Sequence, residues 1–289
     1  MAGVDGVDPT TPVVLLLDKF LDFAARHNAP STFEFYKRFI VSFGNHIGKS
    51  LRVGRLKPHH VTDWLDENSW DETTRGCAIR AVKRPIQWAV DEGYITASPV
   101  KAVKRIKGKR RETIISPEQW GEILSASDAT FRDFLTFIRE TGARPQEARK
   151  VEARHFDEKN ARLMLSADES KGKIARTIYL TETALKLVKR LVQKYPTGPL
   201  LRNSRGAPWT KNAVVCRFRR IREKTGLDGL VCYSTRHTFG TELLVNGVDS
   251  LVGAELMGHV DKTMLAETYS HLAKNPQFLR DAQRKARGG

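Results

Sequence analysis

The chain has 289 residues, 40% of them hydrophobic and 28% charged, which suffices for two domains with separate cores and excludes a disordered or fibrous chain. Its longest aliphatic run, Val13 to Leu17, is too short to span a bilayer, and MAGVDGVDPT lacks the basic region and apolar core of a signal peptide. A cytoplasmic protein with no membrane partner is therefore expected. A net charge of +16 and a pI near 9.9 point to a polyanion, nucleic acid first, because cationic side chains displace the counterions condensed on phosphates. Cys77, Cys216 and Cys232 are odd in number and lack metal-ligand spacing, so they are expected to be small buried hydrophobes rather than a disulfide framework or a zinc site.

Residues 1–10 read as a loose tail. Thr11-Pro12 then offers an N-cap and a first helical position, followed by Val14, Leu17, Leu21 and Ala24 at helical spacing. Ser31 to Glu34 has the form of a capping box, ahead of an apolar face of Phe33, Tyr36, Ile40 and Phe43. A short helix from about Pro58 carries Val61, Trp64 and Leu65. A longer one, Glu72 to Glu92, turns Ala78, Val82, Ile86 and Ala89 inward and should kink at Pro85. These four helices make a small all-helical domain over residues 11–100. The stretch KAVKRIKGKRR follows, and residues 101–113 are read as a solvated basic linker that would also lie against a DNA backbone through Lys101, Lys104, Arg105, Lys107, Lys109, Arg110 and Arg111.

The second domain, residues 114–289, opens on Ser116-Pro117-Glu118-Gln119, a cap, a helix-starting proline and a capping-box partner. Phe131, Phe134, Leu135 and Ile138 predict a buried helix ending at Thr141-Gly142, and Pro145 starts another. Arg162 to Ser166 and Ile174 to Leu180 read as strands joined by a turn around Asp168 to Lys173. Thr181 caps a helix reaching about Lys194. Another helix follows Thr210, with Val214, Phe218 and Ile221 inward and Arg217, Arg219, Arg220 and Arg222 mostly outward. From Ser234 the pattern is helical, broken at Gly247, Gly258 and Asn275-Pro276, and residues 276–289 predict a short C-terminal helix. The fold class is mainly α with a small β-sheet.

Five short motifs in this domain concern one chemistry. TGARPQE holds Arg144, the turn between the strands holds Lys171, RHTFGT follows from Arg236, LMGH ends in His259, and TYSH holds Tyr269. Two arginines, a lysine, a histidine and a tyrosine form a set that can hold a phosphodiester and attack it with a phenol, without a metal. In their order and spacing across residues 114–289 these motifs resemble the tyrosine recombinases, the phage-integrase family, and the four helices before them are similar to that family's core-binding (SAM-like) domain. The resemblance implies a clamp of two domains around double-stranded DNA. It also implies a monomer in solution that assembles into a homotetramer on two DNA sites, with no cofactor and no metal.

The same resemblance distributes the roles. Arg144 and Arg236 would hold the non-bridging oxygens and stabilise the pentacoordinate phosphorane, with Glu147 orienting Arg144. Lys171 would protonate the departing 5′ oxygen, with Lys173 as the alternative. His259 would donate to a phosphate oxygen, and Tyr269 would attack phosphorus to give a 3′-phosphotyrosyl enzyme. The chain departs from the family at Tyr233, where HxxR is usual. Tyr233 is a poor base at neutral pH but can hydrogen-bond a phosphate, and His237, next to Arg236, is not expected to substitute for the histidine because a one-residue shift turns a side chain by about 100° on a helix. Two other functions share these residues: a DNA-binding protein that has lost the chemistry, and a type IB topoisomerase-like enzyme.

Overall fold

The computed structural model describes residues 8–106, 108, 113–170, 174–258, 280 and 283–284, and the chain divides into two compact units, Met1–Arg110 and Arg111–Gly289. Among the described residues no helix is long and apolar enough to cross a membrane.

In the first unit α1 spans Val13–His27, α2 Pro30–Ile47, α3 Pro58–Asp66 and α4 Glu72–Asp91. The buried face of α1 is Val13, Leu16, Leu17, Phe20 and Ala24, rotated by about a residue from the expected one, so that Val14 and Leu21 are only half-buried. The apolar run at 13–17 serves either face, and Phe20 decides between them by packing edge-on against Tyr36 and Trp88. The capping box expected at Ser31 does not form. The helix starts at Pro30 with Ala29 as its cap and no side-chain cap bond, because the fixed φ of proline suits the first helical position and carries Ser31 into the first turn. Asp71 caps α4 by accepting from the Thr74 amide at 2.7 Å, and α4 continues through the buried Pro85. Trp64 packs against Phe43 and Trp70, and its indole donates to Ser42 Oγ at 3.1 Å.

The basic stretch after residue 100 is packed more closely than a solvated linker would be. Val100 and Val103 are buried in this unit's core, and Lys83 Nζ donates to the carbonyls of Lys101 (3.0 Å) and Val103 (2.8 Å). Lys101, Lys104 and Arg105 remain exposed, while Lys107 and Lys109–Arg111 lie outside the described residues. Gly76 on α4 makes room for this segment, since a Cβ there would stand 2.4 Å from the Ile106 carbonyl oxygen.

The second unit begins with α5, Pro117–Ser125, whose capping box joins Ser116 and Gln119 as its sequence predicts. Helix α6, Ala129–Thr141, ends at the left-handed Gly142 and is followed by the single turn α7, Pro145–Ala148. Three antiparallel strands follow in the order β1-β2-β3: β1 Phe156–Asp157, β2 Arg162–Leu165 and β3 Arg176–Tyr179. The two longer strands were legible from alternation, whereas β1 has two residues, too few for any periodicity. Next come α8 Glu182–Lys194, α9 Lys211–Thr225, α10 Cys232–Val245 and α11 Ser250–Met257. Thr181, Thr210 and Asp249 cap α8, α9 and α11 through their side chains.

Phe131, Phe134, Leu135, Phe137 and Ile138 of α6 form the centre of this unit's core, against Leu163 and Ile178 of the sheet, Val188 of α8, and Trp209 and Phe218. On α9, Arg219 and Arg220 are exposed, Arg217 pairs with Asp128 at 2.6 Å, and Arg222 donates to the Leu230 carbonyl. Of the cysteines only Cys77 and Cys232 are partly buried. Cys216 is exposed, contrary to expectation, because α9 turns its Val215-Cys216 edge outward. The C-terminal helix expected over 276–289 lies almost wholly outside the described residues.

Gly76→Ala tests the packing of the stretch after residue 100. Alanine gains about 1 kcal/mol of helix propensity, but its methyl meets a backbone oxygen that no rotamer change can move, and overpacking costs about 1–3 kcal/mol. A lower melting temperature and faster tryptic cleavage after Lys104 or Arg105 are expected in thermal denaturation and limited proteolysis.

Candidate active site

The site is built where α6 and α11 of the second unit end. At the end of α6 the chain turns at Gly142, φ +60°, where a Cβ would lie 2.2 Å from the Phe239 ring. That close approach and the left-handed backbone both demand glycine. The turn delivers Arg144 to the N-cap of α7. Its backbone amide donates to Glu147 Oε2 at 2.9 Å, its Nη1 to Glu147 Oε1 at 2.7 Å and its Nη2 to the Gly258 carbonyl at 2.6 Å. Glu147 is only 3% exposed, so the pair that the sequence suggested is a desolvated fork that fixes the arginine's direction.

Arg236 lies on α10 and is 2% exposed. Its Nη1 donates to the Gly142 carbonyl and its Nη2 to the Met257 carbonyl, the latter at 2.6 Å, so one guanidinium joins the end of α6 to the end of α11. Burial, then the neighbouring Arg144 charge, lowers its pKa to about 10, which leaves it a cation at neutral pH. Two contacts hold α10 against its neighbours: Thr238 Oγ1 accepts from the Ile115 amide at 2.9 Å, and Arg139 forks onto Glu242.

A third arginine, Arg176, was not anticipated. It sits on β3 opposite Leu165 and is 7% exposed. Its Nη2 donates to the Leu256 carbonyl at 2.6 Å and its Nη1 to the carbonyls of Glu255 (3.2 Å) and Thr177, while its Nε lies 3.7 Å from Glu147 Oε2. Burial lowers its pKa, and Glu147 opposes that shift. The signal for Arg176 was in the strand. Alternation places it on the same face as the buried Ile178, where a charge needs a reason.

Three guanidiniums thus converge on the carbonyls of residues 255–258 at the end of α11, which carry the negative end of its dipole; that of Glu255 also accepts from the Gly258 amide at 2.9 Å. Among the described residues the one carboxylate bonded or paired to them is Glu147, so these groups together keep a net positive charge in a region shielded from water. Each guanidinium has five N–H donors and can offer those it does not spend on carbonyls or on Glu147 to an anion. Gly258, φ +64°, closes α11, and a Cβ there would lie 2.5 Å from Arg176 Nε.

Tyr233 is on the first turn of α10, one turn before Arg236, and 45% exposed. His237 shares its face, with ring centroids 5.8 Å apart. Before the strand turn, Glu169 accepts from the Ser166 amide (3.0 Å) and hydroxyl (2.8 Å) and from Arg154 and His155, and these bonds, Ser166 first, hold its pKa at about 2. Lys171, His259 and Tyr269 lie outside the described residues. The structure therefore brings together Arg144, Glu147 and Arg236, with Tyr233 beside them.

The profile of the phage integrase family matches residues 113–276. The chain is 26% identical over 252 residues to the tyrosine recombinase XerD of Staphylococcus haemolyticus, covering 78% of this chain and 84% of the relative. Among solved structures, a lambda integrase dimer bound to a COC′ core site superimposes with a TM-score of 0.73 at 18% identity, over 88% of this chain and 97% of the other. XerH recombinase bound to a palindromic difH substrate gives 0.73 at 16% identity, over 97% and 98%. The chain belongs to the phage integrase family, the tyrosine recombinases.

Glu147→Gln tests the charge balance of the cluster. Without the carboxylate two buried arginines and the half-buried Arg144 lack their counter-ion, and destabilisation on the order of 3 kcal/mol is expected. Sulfate should then raise the melting temperature of the variant more than that of the parent at matched ionic strength, because an anion bound to the native state stabilises it.

Proposed function

We propose that the chain is a site-specific recombinase that cuts and rejoins double-stranded DNA through Tyr269, with no metal or ATP. The observation that carries this reading is the positively charged cluster of Arg144, Glu147 and Arg236 at Gly258, the residue before His259 and, ten residues on, Tyr269. In this reading residues 11–100 form the core-binding domain, 101–113 the linker and 114–289 the catalytic domain.

Arg144 and Arg236 take the two non-bridging oxygens of the scissile phosphate, and their charge stabilises the phosphorane more than the ground state. The Tyr269 hydroxyl loses its proton to solvent water as its oxygen forms a bond to phosphorus and the bond to the 5′ oxygen breaks. Lys171 gives its proton to that oxygen, and His259 donates a hydrogen bond to the phosphate. The phosphotyrosyl bond retains the energy of the broken linkage, so a 5′-hydroxyl from a second strand reverses the step and reseals the DNA. Tyr233 stands where a proton acceptor is usual, and contributes a hydrogen bond instead.

Two further supports concern partners. The net charge of +16 suits duplex DNA. A structural neighbour, lambda integrase, forms a tetramer bound to a Holliday junction, which supports a homotetramer on two sites here. Tyr233 favours one competing reading, a protein of this fold that binds DNA without cleaving it. The test is trapping on nicked duplexes tiled from the DNA flanking the gene. A covalent adduct that maps to Tyr269 and is lost in Tyr269→Phe is expected, whereas tight binding with no adduct would favour the binding-only reading.

A further inference from the structure

Arg176 has no part in the chemistry just described, yet it is among the most constrained side chains of the second unit. An arginine buried this deeply loses the hydration of its charge, and a strand position beside Ile178 would be filled more stably by an aliphatic residue unless the charge had work to do. Its guanidinium faces two things at once. On one side its Nη groups hold the Glu255 and Leu256 carbonyls. On the other, Nε lies 3.7 Å from Glu147 Oε2 and has no hydrogen-bond partner among the described residues. The plane of the group also fills the space above Gly258, where a Cβ would come within 2.8 Å of its Cδ and Cζ.

These contacts are complementary to those of the other two arginines. Arg176 takes the carbonyls of residues 255 and 256, Arg236 that of Met257, and Arg144 that of Gly258. Four successive carbonyls are thus divided among three cations, and the helix end cannot rotate without breaking several of these bonds together. Glu147 is bracketed in the same way, with Arg144 bonded to both oxygens and Arg176 beside Oε2. We propose that Arg176 is a positioning residue for strand cleavage: it locks Glu147 and the last turn of α11, and through them sets the direction of the Arg144 guanidinium and the point where the chain leaves for His259. The inference rests on the strand-transfer reading above. It assigns β3 the task of joining the sheet to the phosphate-holding arginines.

The test uses Arg176→Met, with Arg176→Lys as a milder variant should the first fail to fold, on the full chain and the nicked duplex that traps the parent. Cleavage is timed within preformed complexes, so that rate constant, amplitude and DNA affinity are read separately. Misplacement of a reacting group by about 1 Å costs on the order of 100-fold. A fall of that order in the rate constant is expected for methionine, with affinity nearly unchanged and part of the rate restored by lysine. A role limited to stability would reduce the amplitude and leave the rate constant at the parental value, and that result would overturn the proposal. Gly258→Ala should slow the same step, and the double variant should be no slower than the worse single one, because both disturb one contact. Additive losses would count against it. If the parent gives no adduct, the strand-transfer reading fails on its own. The crystal structure of Arg176→Met then decides the positioning, since an unmoved Glu147 and an unmoved 255–258 turn would refute it.

Discussion

Three guanidinium groups end on the last three carbonyls of one short helix and that of the glycine closing it, and the arrangement of the second unit depends on that contact. Helix α11 has 8 residues, too few to be stable alone, and without the arginines the carbonyls of Leu256 and Met257 at its end would have no donor among the described residues where they are shielded from water. The arginines supply donors and positive charge where the helix dipole is negative. They come from α7's N-cap, β3 and α10, so the contact also fixes three otherwise independent elements to one another. Glycine is required at both ends of the arrangement. Gly142 lets Phe239 and Arg236 approach the end of α6, and Gly258 lets α11 end against Arg176.

The energetics explain why such a cluster serves function better than stability. Burying like charges together is unfavourable, and one carboxylate compensates only part of it. The remaining positive charge is a reservoir for an anion, already oriented and already dehydrated, which is the condition under which electrostatic stabilisation of a transition state is largest. A phosphodiester becoming a phosphorane gains negative charge, so a fixed excess of cations favours the transition state over the bound substrate. In the strand-transfer reading proposed above, a phenol and a proton donor complete the covalent chemistry.

Much of this was readable in the residues. The caps at Ser116 and Thr181 and the core faces of α3, α4 and α6 followed from local rules, because in each the side-chain signal and the backbone requirement coincide. Arg144, Glu147 and Arg236 stand out in the sequence through their motifs, and the structure places them together. Where two local rules competed, the outcome was not legible: at α2 the proline at Pro30 prevailed over the serine cap at Ser31, and at α1 the packing of Phe20 set the face. Arg176 escaped because its partners, Glu147 and residues 255–256, are remote in sequence. The close packing of Gly142 on Phe239 and of Gly76 on Ile106 is likewise set by tertiary approach.

The most direct measurement compares cleavage of a normal scissile phosphate with that of a methylphosphonate at the same position, by the parent and by Arg236→Ala. The phosphonate lacks the negative charge that the buried cations are held to neutralise. Arg236→Ala is expected to fail on the phosphate and to recover cleavage on the neutral linkage, with adduct formed at Tyr269. Equal loss on both substrates would contradict charge neutralisation as the purpose of the cluster.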